Sequence, residues 1–234
     1  MSEFEGFSEE AIEVLLGIRF NNTKEWYEEN KDKYKQYVHQ PMAAFADKIY
    51  EKLHAEHEEF DDRPKVCRVF RDTRFSANKN RYKDSKWFFL REGAISTIEY
   101  PKPNFFFELK AENYIYGLGF WAKASHMERF RNSVKANPSK LDEVMNIYEN
   151  QQVFTLNGDV YKKKFQDDVE EPRKSWYIHK DFTFIADRPV DDILFSPEIV
   201  DMVAGDFLKI YPLYEYFSSI MQGVQPAEGR YRRG

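Results

Sequence analysis

The runs NFFFEL (104–109) and YIYGLGFW (114–121) flank the polar tetrapeptide KAEN (110–113). Aromatic and β-branched side chains suit a pleated surface, and a short polar break between two such runs is the signature of an antiparallel hairpin. Upstream, KVCRVFR (65–71) and residues 86–90 read as two further strands. Downstream, 153–161 carries Asn157-Gly158 between apolar runs, a strong two-residue hairpin signal, and DFTFIA (181–186) alternates as a strand. Strands that follow one another through short turns predict a largely antiparallel sheet.

Helices flank this block. Ser8 can cap a helix whose first turn holds Glu9 and Glu10, followed by Ile12, Leu15 and Leu16 at helical spacing. Asn22 with Glu25 forms a capping-box pattern, and Pro41 fits the first turn of a third helix striped by Met42, Phe45, Ile49 and Leu53. Trp26, Tyr34, Phe45 and Ile49 are expected to pack against the sheet. Ser125 with Glu128 opens another helix, Asn137-Pro138 breaks it, and Leu141, Val144 and Met145 mark the next. Ser196 caps a last helix that Pro212 kinks or splits. The fold class expected is α+β, a largely antiparallel sheet packed with N-terminal and C-terminal helices. No repeat or low-complexity linker interrupts it, so residues 1–222 read as one domain and 223–234 as a flexible tail.

Composition narrows the class. The chain has 234 residues, 42% hydrophobic and 17% aromatic, which is too apolar for a disordered protein. Mean hydropathy is −0.73, and no uncharged run approaches the roughly eighteen apolar residues of a membrane helix. The acidic start MSEFEGFSEE lacks the basic and apolar regions of an export signal, so a cytoplasmic protein is expected. Cys67, the one cysteine, excludes an internal disulfide and any multi-thiolate metal site. No cofactor is expected. His54 and His57 lie among acids at i,i+3 without metalloprotease spacing, which suits a solvated helix face. Gly117-x-Gly119-x-x-Ala122 imitates a dinucleotide fingerprint, but it lies in an antiparallel strand rather than a βαβ unit, so its glycines are read as close backbone approaches.

Charge is uneven. Residues 63–91 hold ten Lys/Arg and two acids, a net +8, against −13 for the rest of a chain whose total is −5. One basic segment in an acidic protein points to a local anion site more than to a general nucleic-acid binder. Within it, Arg68, Arg71, Asp72, Arg74, Lys79 and Lys83 follow a strand into a loop. Alternation there puts arginines beside core-type residues, and a partly buried guanidinium needs a carboxylate or phosphate acceptor. Glu108 interrupts the Phe105-Phe106-Phe107 run and stands as either an arginine partner or a general base.

The run RDTRFS (71–76), with Lys79 and Tyr82-Lys83 after it, resembles the signature of the family catalogued as domain of unknown function 2461. Asn21-Asn22-x-Lys24-Glu25-Trp26, Tyr34, Pro41, Glu108, the Tyr116-Gly-Leu-Gly119 strand, Arg131 and Leu156-Asn-Gly extend the resemblance over about residues 4–222. It implies a single intact domain and brings no activity with it. Inside the loop the chain reads SANKNRYK where relatives usually read SKDKSPYK.

The candidate ligand-binding residues are therefore Arg68, Arg71, Asp72, Arg74, Lys79, Tyr82, Lys83 and Glu108, with no catalytic residue and no metal ligand assigned. Three readings stand. The first is a module binding a small phosphorylated or carboxylated ligand, with nucleic acid disfavoured and no membrane partner. The second is an enzyme on an anionic substrate with Glu108 or Asp72 as acid/base. The third is a scaffold whose basic block forms internal ion pairs.

Overall fold

The structure, a computed structural model, describes residues 4–74, 77–91, 102–162, 165 and 169–222. Phe75 and Ser76 of the RDTRFS run and the expected tail 223–234 lie outside the described residues.

The N-terminal helices form where the apolar spacing predicts, with different ends. In α1 (Glu9–Phe20), Ser8 holds the N-cap position, but its hydroxyl bonds the Glu10 carboxylate and not a helix N–H. In α2 (Lys24–Lys33), Thr23 is the cap, accepting from the Trp26 N–H at 3.2 Å, and the capping box expected at Asn22 does not form. Asn22 is used elsewhere: its amide donates to the Ile18 and Tyr82 carbonyls. The break expected before a third helix is also absent. The chain runs from α2 through a π-helical segment (Tyr34–His39) straight into α3 (Gln40–Glu56). A regular α-turn would press the Pro41 ring against the carbonyl four residues back, and the wider turn stands directly before it, closed by Gln40 N–H on Lys35 O.

Six strands form one sheet in the order β1 (Arg63–Val66), β2 (Lys86–Arg91), β3 (Asn104–Leu109), β4 (Asn113–Phe120), β6 (Phe182–Pro189), β5 (Thr155–Asn157). The protein is α+β and its sheet is antiparallel, as the opening hairpin predicts. β2 and β3 pair with Phe88 opposite Phe107 and Trp87 opposite Glu108. Two strand expectations are corrected. β1 stops at Val66; beyond it Cys67 N–H still donates to Trp87 O at 2.9 Å, and a Phe70–Tyr82 bridge follows. Asn157-Gly158 closes no two-residue hairpin: β5 pairs with β6, Leu156 opposite Phe184. A Cβ on Gly158 (φ +144°) would lie 2.6 Å from the Asp181 carbonyl oxygen, so this glycine admits a neighbouring backbone. Gly117 does the same at Phe184, where a Cβ would meet the carbonyl oxygen at 1.8 Å.

The chain divides into two compact units. The first holds Met1–Leu90, Phe105–Tyr116 and Ala186–Asp206. Its core is aromatic: the Phe45 ring lies 4.8 Å from Phe107 and 5.8 Å from Phe88, and Phe7 stacks on Phe107 at 5.9 Å. Tyr34, Phe45 and Ile49 are buried as expected, while Trp26 is half-buried across Gly17. The second unit holds Arg91–Asn104, Gly117–Ile185 and Phe207–Gly234. There α4 (Ala124–Ala136), α5 (Pro138–Glu149) and α8 (Tyr211–Met221) pack together, with Phe217 4.8 Å from Phe120 and 4.9 Å from Phe182. Lys123 occupies the N-cap of α4, so Ser125 is an interior residue and not the expected cap. Pro212 splits the last helical run into α7 (Ile199–Lys209) and α8. Among the described residues no helix is long and apolar enough to cross a membrane.

Candidate functional site

The basic segment folds as two short arms around a loop. Arg71 N–H donates to Arg81 O at 2.9 Å and Lys83 N–H to Val69 O at 2.8 Å, on either side of the Phe70–Tyr82 bridge. Asn22 clamps the second arm from both sides, its Oδ1 accepting from the Tyr82 N–H at 2.9 Å and its Nδ2 donating to the Tyr82 carbonyl at 3.0 Å. Tyr82, expected among the ligand-binding residues, is 2% exposed and stacks on Tyr27 at 4.3 Å. It anchors the arms from beneath. Two of the loop's lysines hold backbone: Lys83 Nζ donates to Arg68 O at 3.2 Å and Lys79 Nζ to Thr73 O at 3.0 Å.

The loop's charges meet different fates. Arg74 grips Asp72 through Nε at 3.0 Å and Nη2 at 2.7 Å, which holds the Asp72 carboxyl down at about 2. A carboxylate that weakly basic is a counter-charge at neutral pH rather than a proton acceptor. Arg71 reaches Asp84 only at 3.4 Å, and its Nε is buried with no acceptor among the described residues. Asp84 is shared with Arg19, whose Nε lies at 2.8 Å and whose fork also holds Glu112. Sequence reading missed Arg19 and Asp84 because they stand 65 residues apart. Arg68 and Arg81 are exposed and no hydrogen bond or ion pair within 4 Å holds either guanidinium among the described residues, although the Arg68 charge helps to hold the Asp72 carboxyl down. Among the described residues Glu108 takes no arginine. It accepts from Ser85 Oγ at 2.6 Å and lies 3.5 Å from Lys110 Nζ.

A second lysine is out of the ordinary. Lys86, at the start of β2, is 2% exposed, with Nζ on Cys67 O at 2.5 Å and over the Tyr34 ring at 5.4 Å. Burial, with the Lys83 charge adding to it, pushes its ammonium down to about 8. The nearby Cys67 thiol is pushed up to about 11 by burial, so the thiolate is suppressed. Of the two neighbouring histidines, His54 Nδ1 contacts Phe60 O at 2.8 Å, and His57 Nδ1, at the end of α3, contacts Glu59 at 3.3 Å.

In the second unit, Arg131 is buried with no carboxylate partner among the described residues. Its Nε donates to Tyr177 O at 3.1 Å and Nη2 to His179 O at 2.9 Å, while Phe165 and Tyr161 cover the guanidinium at 4.6 and 5.0 Å. Tyr177 ends the short helix α6 (Arg173–Tyr177), so the cation meets carbonyls that a helix terminus leaves unpaired. The signal for this was present in the sequence: Arg131 follows Phe130 on the stripe that Met127 and Val134 mark as buried.

The family described as "Conserved hypothetical protein (DUF2461)" matches residues 10–216, and the chain belongs to it. No curated protein matches the chain.

Proposed function

We propose that the protein binds a small phosphorylated or carboxylated molecule at the arms and loop of residues 68–83. One observation carries this: Arg68 and Arg81 stand exposed, with no hydrogen bond or close ion pair to hold either guanidinium among the described residues, on arms fastened by backbone bonds and the Asn22 clamp. A guanidinium fork suits bidentate capture of phosphate or carboxylate, and a rigid base spares the ordering cost of binding. Asp72 is engaged mainly by Arg74, which takes up most of its charge. A cytoplasmic setting is part of the proposal.

The enzyme reading has the Ser85–Glu108 hydrogen bond in its favour, a hydroxyl aligned on a carboxylate. Removing the hydroxyl, Ser85→Ala, would abolish any turnover of an anionic substrate if this pair acts, and would leave binding at the arms intact.

The test of the binding reading is calorimetric. Ribose 5-phosphate and citrate are titrated into the protein at two salt concentrations. The expected result is measurable binding of at least one of them, weakened by salt and lost in the double variant Arg68→Ala, Arg81→Ala. Binding of neither, or binding undiminished in the variant, would overturn the proposal and leave the scaffold reading.

A further inference from the structure

Asn157-Gly158 matches a hairpin turn in sequence but closes no hairpin, and the fold leaves the pair chemically open. Asn157 ends β5, a strand of three residues at the edge of the sheet, opposite Thr183 of β6. Both Asn157 and Gly158 are exposed. Among the described residues the Asn157 side-chain amide makes no hydrogen bond, and the Gly158 N–H has no acceptor. Packing fixes the glycine. At φ +144° a side chain would be strained, and a Cβ would meet Asp181 O at 2.6 Å, Asp181 Oδ1 at 2.9 Å and His179 Nδ1 at 3.0 Å. The tertiary structure therefore requires this dipeptide to stay Asn-Gly at its second position. No other asparagine in the chain precedes a glycine.

An asparagine side chain carries an electrophile, its Cγ carbonyl, one bond short of a five-membered ring with the next backbone nitrogen. A side chain on the following residue hinders that closure, and glycine removes the hindrance. An extended strand holds the two atoms apart, so closure waits for β5 to open. Three residues paired along one side open locally at little cost. We propose that Asn157 is a self-modifying site, which cyclises on Gly158 and ends as aspartate or isoaspartate. The Gly158 nitrogen bonds to Asn157 Cγ as the Cγ–Nδ2 bond breaks, and the N–H proton leaves with the amide as ammonia. Water, the one co-reactant, then opens the succinimide at either carbonyl. Opening at Cγ restores the normal backbone with a carboxylate at 157. Opening at the α-carbonyl leaves the chain running through the side chain, with an extra methylene in the backbone. That longer link cannot keep both the Asn157–Thr183 pair and the Val160–His179 bridge, so the edge strand comes loose. None of this depends on the anion-binding reading.

The experiment incubates the full chain in warm neutral buffer beside a synthetic peptide of residues 153–161. Samples taken over weeks are digested and read by mass spectrometry, with aspartate and isoaspartate separated. The expected result is that both convert at 157, the chain more slowly than the peptide, and that no other asparagine of the chain converts faster. The Gly158→Ala change is made in the peptide, where no fold can be lost, and should remove most of the conversion. Converted chain should exchange its amide hydrogens faster over 153–161 and 182–186. A chain that stays intact at 157 while the peptide converts would overturn the proposal. So would a peptide that does not convert, one indifferent to Gly158→Ala, or a chain in which another asparagine converts first. Conversion with unchanged exchange at the edge would overturn the loosening of β5.

Discussion

In the second unit Arg131 is 7% exposed and its guanidinium is held by two carbonyls and a set of rings, whereas Arg74 in the loop of the first unit is paired with Asp72 in solvent. The two arginines differ in what the fold asks of them. A buried guanidinium that satisfies orphan carbonyls cannot be removed without leaving those carbonyls dry, so Arg131 is a fastener. An exposed pair exchanges one set of water contacts for another and holds little together. Arg68 and Arg81, which no hydrogen bond or close ion pair holds among the described residues, are the cations that folding uses least, and they are what the proposed ligand site has to offer.

That contrast can be broken at its strong end. Replacing Arg131 with Met keeps the apolar volume among Tyr161, Phe165 and Tyr177 while removing the donors. The loss expected is about 3 kcal/mol of unfolding free energy, the cost of two buried carbonyls without partners. A denaturant titration giving under about 1 kcal/mol would mean the rings alone hold this region.

Lys86 is the intermediate case, a buried cation with one carbonyl and no carboxylate among the described residues. Its folded value of about 8 lies below the ordinary 10.5, so between these the unfolded chain keeps a proton that the folded chain has released. Stability of the natural chain should therefore rise with pH through that window, and below it the charge carries its full penalty. At pH 7, Lys86→Met should be more stable by about 2 kcal/mol, and its advantage should shrink between about pH 8 and pH 10. A gap that stays constant with pH would show that packing, and not charge, sets the difference.

The weakest effect is expected at the surface. Arg74→Ala should leave the thermal midpoint where it is, while Asp72, followed by NMR, titrates well above its present value of about 2. A large drop in midpoint would erase the distinction between a fastener and an exposed pair.

Much of this architecture was legible in the chain. Period 3.6 in Met42, Phe45, Ile49 and Leu53 and the paired aromatic runs around Lys110–Asn113 announced helix and hairpin, because those patterns are local and repeat within one element. The basic segment was equally plain. Local capping was less so: Asn22 and Ser125 match the motif, yet Asn22 is taken by Tyr82, sixty residues away. A motif states what a side chain can do, and competition from distant partners decides what it does.

By itself, then, the sequence determined the α+β class, most of the elements and the place where positive charge collects. Only the tertiary structure decided the partner of β5, the pairing of Arg19 with Asp84, and the burial of Lys86 and Arg131. The physical reason is one of range. Side-chain periodicity is settled within a few residues, but the cost of a charge depends on the dielectric and the acceptors around it, and these are supplied by chain dozens of residues away.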